Sequence, residues 1–103
     1  MATIKLEGVD LFFRGRLEGL LREHTLTAVP GAPADLVIAD ISRVDPAAVV
    51  AGHPGLPILG YGNHTDTAGL RRAHAAGFDQ VVVKSALVER AALLVGRLLG
   101  SVD

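Results

Sequence analysis

The 103-residue chain has no cysteine, so disulfides, thiolate nucleophiles and thiolate metal sites are excluded together. It also lacks an excess of charge of either sign: 10 Lys and Arg stand against 11 Asp and Glu, a net charge of −1. So balanced a surface gives no electrostatic reason to expect a nucleic acid or an anionic membrane as partner. No apolar run approaches the roughly 18 residues of a membrane span, and the N-terminus lacks the basic-then-apolar order of a secretion signal. The expected compartment is the cytoplasm. What remains is a chain half apolar and one-fifth charged, the balance of a globular domain. At this length about 65% of the unfolded surface can be buried. That supports one domain spanning residues 1–103, and no second.

The hydrophobic period switches repeatedly. Thr3 to Glu7 alternates as a strand does, whereas Phe13, Leu17, Leu20 and Leu21 form the stripe of a helix over residues 11–23. Thr25 to Val29 is β-branched, and Pro30-Gly31-Ala32-Pro33 is a break. Asp35 to Asp40 is a short apolar run closed by acids, the pattern of a strand covered on both faces. Asp45-Pro46 starts a short helix that ends at Gly52. Pro57 to Tyr61 is a strand, followed by a turn at Gly62-Asn63-His64. Thr65 or Thr67 can cap a helix to Ala76, with Gly77 as its left-handed stop. Gln80 to Val83 is a further strand, and Ser85 is the expected cap of a last helix running to about Leu99.

Strands alternating with helices predict an α/β fold with a five-stranded, mostly parallel sheet and helices on both faces. Ligand sites in such sheets lie at the carboxyl ends of the strands, here Glu7, Asp40, Gly62 and Lys84. Gly60-Tyr61-Gly62-Asn63 before a helix can cradle an anion or simply make a tight turn. Of the four histidines only His64 falls near the strand ends, and none has metal-ligand spacing. No nucleophile elbow, Walker loop or dinucleotide fingerprint is present, so the chain is not expected to be an enzyme. In the last helix Leu87, Ala91, Leu94 and Leu98 form one stripe and Val88, Ala92, Val95 and Leu99 a second. Together they exceed the usual core-facing arc, which makes Val88, Leu94, Val95 and Leu99 candidate interface residues. The arginines are scattered over three helices, against a nucleic-acid surface.

The order of these segments resembles the receiver domain of bacterial response regulators, a flavodoxin-like, three-layer fold. Asp35-Leu-Val-Ile-Ala-Asp40 resembles the strand that ends in the phospho-accepting aspartate. Ala76-Gly77-Phe78-Asp79-Gln80-Val81-Val82-Val83-Lys84 is similar to the segment that ends in the family's lysine. Leu70 to Gly77 and Leu11 to Gly15 match helix wording of the same family. The resemblance covers nearly the whole chain and is most specific over residues 57–84. It implies Asp40 as phospho-acceptor and Lys84 as the group that pairs with phosphoryl oxygens.

The departures point another way. Mg²⁺ needs several hard oxygen ligands, yet the family's acidic pair falls on Glu7 and Gly8, leaving Asp10 to reach back as a substitute beside Glu7 and Asp40. The family's hydroxyl becomes Gly62, its switch aromatic Val81 and its proline Ser85. Residues 30–34 replace the family's second helix, by an extended crossover or by a hairpin, and the crossover is the expected form. A sheet face near Ile4, Leu6 and Leu36 would then lose its cover and join an interface. The leading expectation is a stand-alone pseudo-receiver, without cofactor, that binds a protein partner or a second copy of itself. The first alternative is a working single-domain regulator, phosphorylated on Asp40 with Mg²⁺ and served by Asn63 or a backbone N–H near Gly62. The second is a small anion or nucleotide binder at the strand ends.

Overall fold

A computed structural model describes residues 1–100. Five strands and four helices follow in order: β1 (Thr3–Glu7), α1 (Leu11–Leu20), β2 (Thr25–Thr27), β3 (Leu36–Asp40), α2 (Pro46–Gly52), β4 (Ile58–Gly62), α3 (Thr67–Ala76), β5 (Gln80–Val83) and α4 (Lys84–Leu98). All neighbouring strands are parallel, in the order β2-β1-β3-β4-β5. This is the flavodoxin-like order, in which the connections reverse direction at β1.

Register decides which side chains share a face. Leu6 lies level with Ile38 and Ile38 with Leu59. These residues, with Ile4, Leu36 and Tyr61, meet Phe13 and Leu17 of α1 and Leu87, Ala91, Leu94 and Val95 of α4 in one apolar cluster. On the opposite face Val37, Ala39 and Ile58 pack with Val49 of α2, Ala73 of α3, and Phe78. Gly60 belongs to this second face and has no room for a side chain: a Cβ there would lie 2.5 Å from Phe78 Cδ2.

The chain passes from β2 to β3 through residues 28–35 without a helix. Because β2 and β3 lie on either side of β1, this is a crossover and not a hairpin. Pro30 and Gly31 form its turn, with Gly31 at φ 78° and Ala32 N–H donating to Val29 C=O at 3.2 Å, the arrangement of a type II turn. Asp35 fastens its far end: its carboxylate accepts from Thr3 N–H at 2.9 Å, and its own N–H donates to Thr3 C=O at 2.8 Å.

The face that runs short of cover is not the expected one. Ile4, Leu6 and Leu36 are all buried beneath α1 and α4. Right-handed crossovers put β1–α1–β2 on one side of the sheet and β2–β3 on the other once the direction reverses. The face served by the helix-free crossover therefore carries the other residues of β1, namely Thr3, Lys5 and Glu7.

Other local boundaries shift for identifiable reasons. Helix α1 ends at Leu20, and Asp10 caps it by accepting from Phe13 N–H at 2.8 Å. The cap of α3 is Asp66, which accepts from Gly69 N–H at 3.0 Å, rather than Thr65 or Thr67. Thr65 is committed elsewhere, donating its N–H and hydroxyl to Asn63 Oδ1. Gly62 still belongs to β4, and Ser85 lies inside α4, which starts at Lys84 with no side-chain cap. At Arg90 (φ −130°, ψ 23°) α4 breaks into two helical runs.

Candidate functional site

The carboxyl ends of β3, β4 and β5 surround a pocket of about 280 Å³, lined among others by Asp40, Gly62, Asn63, His64 and Lys84. Five of the residues singled out from the sequence thus meet in one place. Their side chains, however, are engaged in ways the sequence did not reveal.

Asp40 is 8% exposed. Its Oδ1 accepts from both Ser42 N–H at 3.0 Å and Ser42 Oγ–H at 2.7 Å, the local turn geometry that short polar side chains favour. Its Oδ2 lies 4.0 Å from Arg43 Nε, a distant and half-exposed pairing. Lys84 forms no ion pair with Asp40. Its Nζ sits 4.5 Å from the centre of the Phe13 ring, held by the attraction of a cation for the π face.

Glu7 is absent from this pocket altogether. It lies level with Ala39, so its side chain projects to the α2 face. There Glu7 Oε2 accepts from Lys5 Nζ at 3.0 Å and pairs with His53 Nε2 at 2.7 Å. Burial raises the Glu7 pKa, but hydrogen bonds from His53 and Lys5 and their charges outweigh it, and the net direction is down. Asp10 remains on the pocket side but serves as the cap of α1. Its hydrogen bond from Phe13 N–H, opposed by partial burial and aided by the charges of Lys84 and Arg43, lowers its pKa. Glu7, Asp10 and Asp40 therefore do not converge, and among the described residues no group of three or more acids and histidines is placed to hold a metal ion.

Gly62 stands where the resemblance expects a hydroxyl. A Cβ there would meet Ile41 Cδ1 and Cγ1 at 2.8 Å, so the space over Gly62 already belongs to Ile41. The neighbouring Tyr61 was not singled out from the sequence. It is 1% exposed, its ring centre lies 4.8 Å from that of Phe13, and its hydroxyl is buried with no hydrogen-bond partner. Burial pushes its pKa well above the usual 10, and the charges of Asp40 and Asp10 add to the rise.

The candidate interface residues of α4 face inward. Leu94 and Val95 are in the core, 5% and 0% exposed, while Val88 and Leu99 are half-buried against it. Their apolar character is used in covering the sheet and α1. Besides Met1, the large apolar side chains left in solvent among the described residues are instead Leu11 and Phe12 of α1, with Val29 and Leu93 less so.

Five parallel strands in this order, with helices on both faces, give the fold seen in response-regulator receiver domains. Solved structures bear this out. NtrX from Brucella abortus, in complex with ADP, superposes with a TM-score of 0.81 at 21% identity, over 97% of this chain and 27% of NtrX. Full-length FixJ from B. japonicum gives a TM-score of 0.79 at 19% identity, over 95% of this chain and 57% of FixJ. The non-phosphorylated HemR receiver domain from Leptospira biflexa gives 0.75 at 15% identity, over 96% of this chain and 94% of that domain. The chain thus spans about a quarter of NtrX and somewhat over half of FixJ. No protein-family model matches it, and no curated protein is similar enough to count as a relative. No helix among the described residues is long and apolar enough to cross a membrane.

Proposed function

We propose that this chain is a pseudo-receiver: a receiver-type signalling module that acts by binding a protein partner and is not switched by phosphorylation of Asp40. The observation that carries the reading is the separation of the acids: Glu7, level with Ala39, is tied to Lys5 and His53 on one face of the sheet, and Asp40, level with Tyr61, lies on the other. A phosphoryl-transfer site draws on a metal to neutralise the charge that develops, and one carboxylate beside a capping aspartate is a poor magnesium cage. Three further features support it. Ile41 fills the space that a hydroxyl at position 62 would need, Lys84 rests on Phe13, and Ser42 occupies Asp40 Oδ1. The helix-free crossover at residues 28–35 is a fourth departure, since the family has its second helix there.

The test is an amide ¹H–¹⁵N correlation spectrum recorded before and after adding Mg²⁺ with beryllofluoride, a mimic of the phosphoryl group. The expected spectrum does not move. Shifts centred on Asp40, Gly62 and Lys84, and abolished by Asp40→Asn, would overturn the reading in favour of a working regulator that uses Asp10 and Asp40 for Mg²⁺. Tight binding of a phosphate-bearing molecule without Mg²⁺ would instead point to an anion site at the strand ends.

A further inference from the structure

The start of β1 is fastened to both of its neighbours by side chains. Toward β3, the Thr3 N–H donates to the Asp35 carboxylate at 2.9 Å. Toward β2, the Ala2 N–H donates to His24 Nδ1 at 3.0 Å, while Ala2 C=O accepts from Thr25 N–H at 2.9 Å. Register explains the use of an imidazole here. Thr3 is level with Thr25, so a continued parallel ladder would carry the Ala2 N–H to the C=O of Glu23. There the chain is still in the turn that closes α1, with His24 N–H donating to Leu21 C=O at 2.9 Å. The His24 ring supplies the acceptor instead. A backbone N–H can only donate, so Nδ1 must offer a lone pair: the ring is neutral and its proton is on Nε2.

We propose that His24 is a pH-sensitive latch: the neutral ring closes the start of β1 onto β2, and protonation of the ring releases that corner. Histidine is the side chain whose charge changes between about pH 5 and 8, and a charged ring has two N–H groups and no acceptor. Protonation therefore sets one N–H against another, with nothing between them to accept. The charges around the ring do not offset the one it gains. The recess beside His24 is lined by Met1 with its ammonium, by Arg22 and by Glu23, two cations against one acid, and α4 adds only the uncharged Ala92, Gly96 and Leu99. Strand β2 has three residues, so few other bonds hold its leading end to β1. The remaining histidines are placed differently. His53 Nε2 faces the Glu7 carboxylate at 2.7 Å, an acceptor for a charged ring as well as a neutral one. His64 and His74 lie exposed.

The test is NMR on the whole chain at pH 8 and pH 5. At pH 8 the imidazole ¹H–¹⁵N spectrum should show His24 with its proton on Nε2. The protection of the Thr25 amide against hydrogen exchange, corrected for the intrinsic rate at each pH, should fall about tenfold at pH 5, the worth of one hydrogen bond. His24→Asn, whose Oδ1 stands near the place of Nδ1 and accepts at every pH, should keep the protection and lose its pH dependence. His24→Gln, whose carbonyl oxygen lies one carbon further out, should already have lower protection at pH 8. A wild type with the proton on Nδ1 at pH 8 overturns the proposal, as does equal Thr25 protection at both pH values, and both measurements decide without any variant. A His24→Asn chain that still loses protection at pH 5 overturns it too, since another group would then be responsible. His24 lies at the amino ends of the strands, away from Asp40, so no outcome bears on the reading of that site.

Discussion

Replacing Tyr61 by Phe should stabilise the protein. The ring would keep its place against Phe13, 4.8 Å away, and its burial in the α1–α4 face. What would disappear is a buried hydroxyl without a partner, and leaving such a group unsatisfied costs about 1–3 kcal/mol. Tyr61→Phe is therefore expected to gain at least about 1 kcal/mol, which in a domain of this size raises the midpoint of thermal unfolding by roughly 4–8 °C. The chain has one tyrosine and no tryptophan, so the variant loses the natural fluorophore and unfolding must be followed by circular dichroism. The same hydroxyl leaves a signature in alkali. Its pKa in the folded state lies above the usual 10, so in the unfolded chain the phenol ionises first. Stability is then complete below that usual value and falls as the pH rises past it. The wild type should lose stability there more steeply than Tyr61→Phe. A variant that is less stable than the wild type, or an identical alkaline slope, would refute the reasoning and mean that the hydroxyl finds a partner in solution.

Glu7 gives the acid counterpart. Its pKa is held below the usual 4.5 by Lys5 and His53, so its contribution is present above that value and is lost as the pH falls through the folded-state pKa. Glu7→Gln should flatten the acid limb of the stability profile below about pH 4.5 and leave Lys5 in a buried position with a weakened partner, lowering the urea midpoint at neutral pH. Gly62→Thr, which puts a hydroxyl where the resemblance expects one, should destabilise by about 1–3 kcal/mol because its Cβ would press on Ile41. The same change on an Ile41→Ala background should cost less, since Ala lacks both the Cγ1 and the Cδ1 in the way; equal costs by denaturant unfolding would exclude Ile41 as the obstacle.

Much of the architecture was legible because each strand declares how many of its faces are covered. Leu36 to Ala39 is apolar without interruption, and β3 is the centre strand, buried throughout. Thr3 to Glu7 alternates, which is the mark of a strand with one apolar face. The alternation also held the answer to which face would be short of cover, since Thr3, Lys5 and Glu7 are the residues able to tolerate it. Assigning the loss to Ile4, Leu6 and Leu36 overlooked the handedness of the crossovers, which sends α1 to their side. The double stripe of α4 misled for a different reason. Of its residues Leu87, Ala91, Leu94 and Val95 alone are buried, at the spacing of a single face, and the half-buried Val88, near the break at Arg90, and Leu99, at the C-cap, pack at the edge of that face.

The candidate site divides along the same line between position and direction. Strand ends can be located from sequence, and Asp40, Gly62, Asn63, His64 and Lys84 do share a pocket. The direction of a strand side chain depends on parity, and one residue of register exchanges the faces. Glu7 pairs with Ala39 and not with Asp40, so a carboxylate that is adjacent in a schematic of strand ends lies across the sheet from its supposed partner. A longer side chain does not compensate, because the missing distance is through the sheet and not along it. The polar face of β1 then supplies Glu7 with Lys5 and His53, two partners that the apolar face could not provide. These contacts place the Glu7 charge on the side of the sheet that the crossover at residues 28–35 spans without a helix. Glu7→Gln separates a structural role of this carboxylate from a metal-binding one in a single variant: it should weaken the fold while leaving the response of the Asp40 amide to Mg²⁺ and beryllofluoride the same as in the wild type, and a changed response would show that Glu7 serves the strand-end pocket.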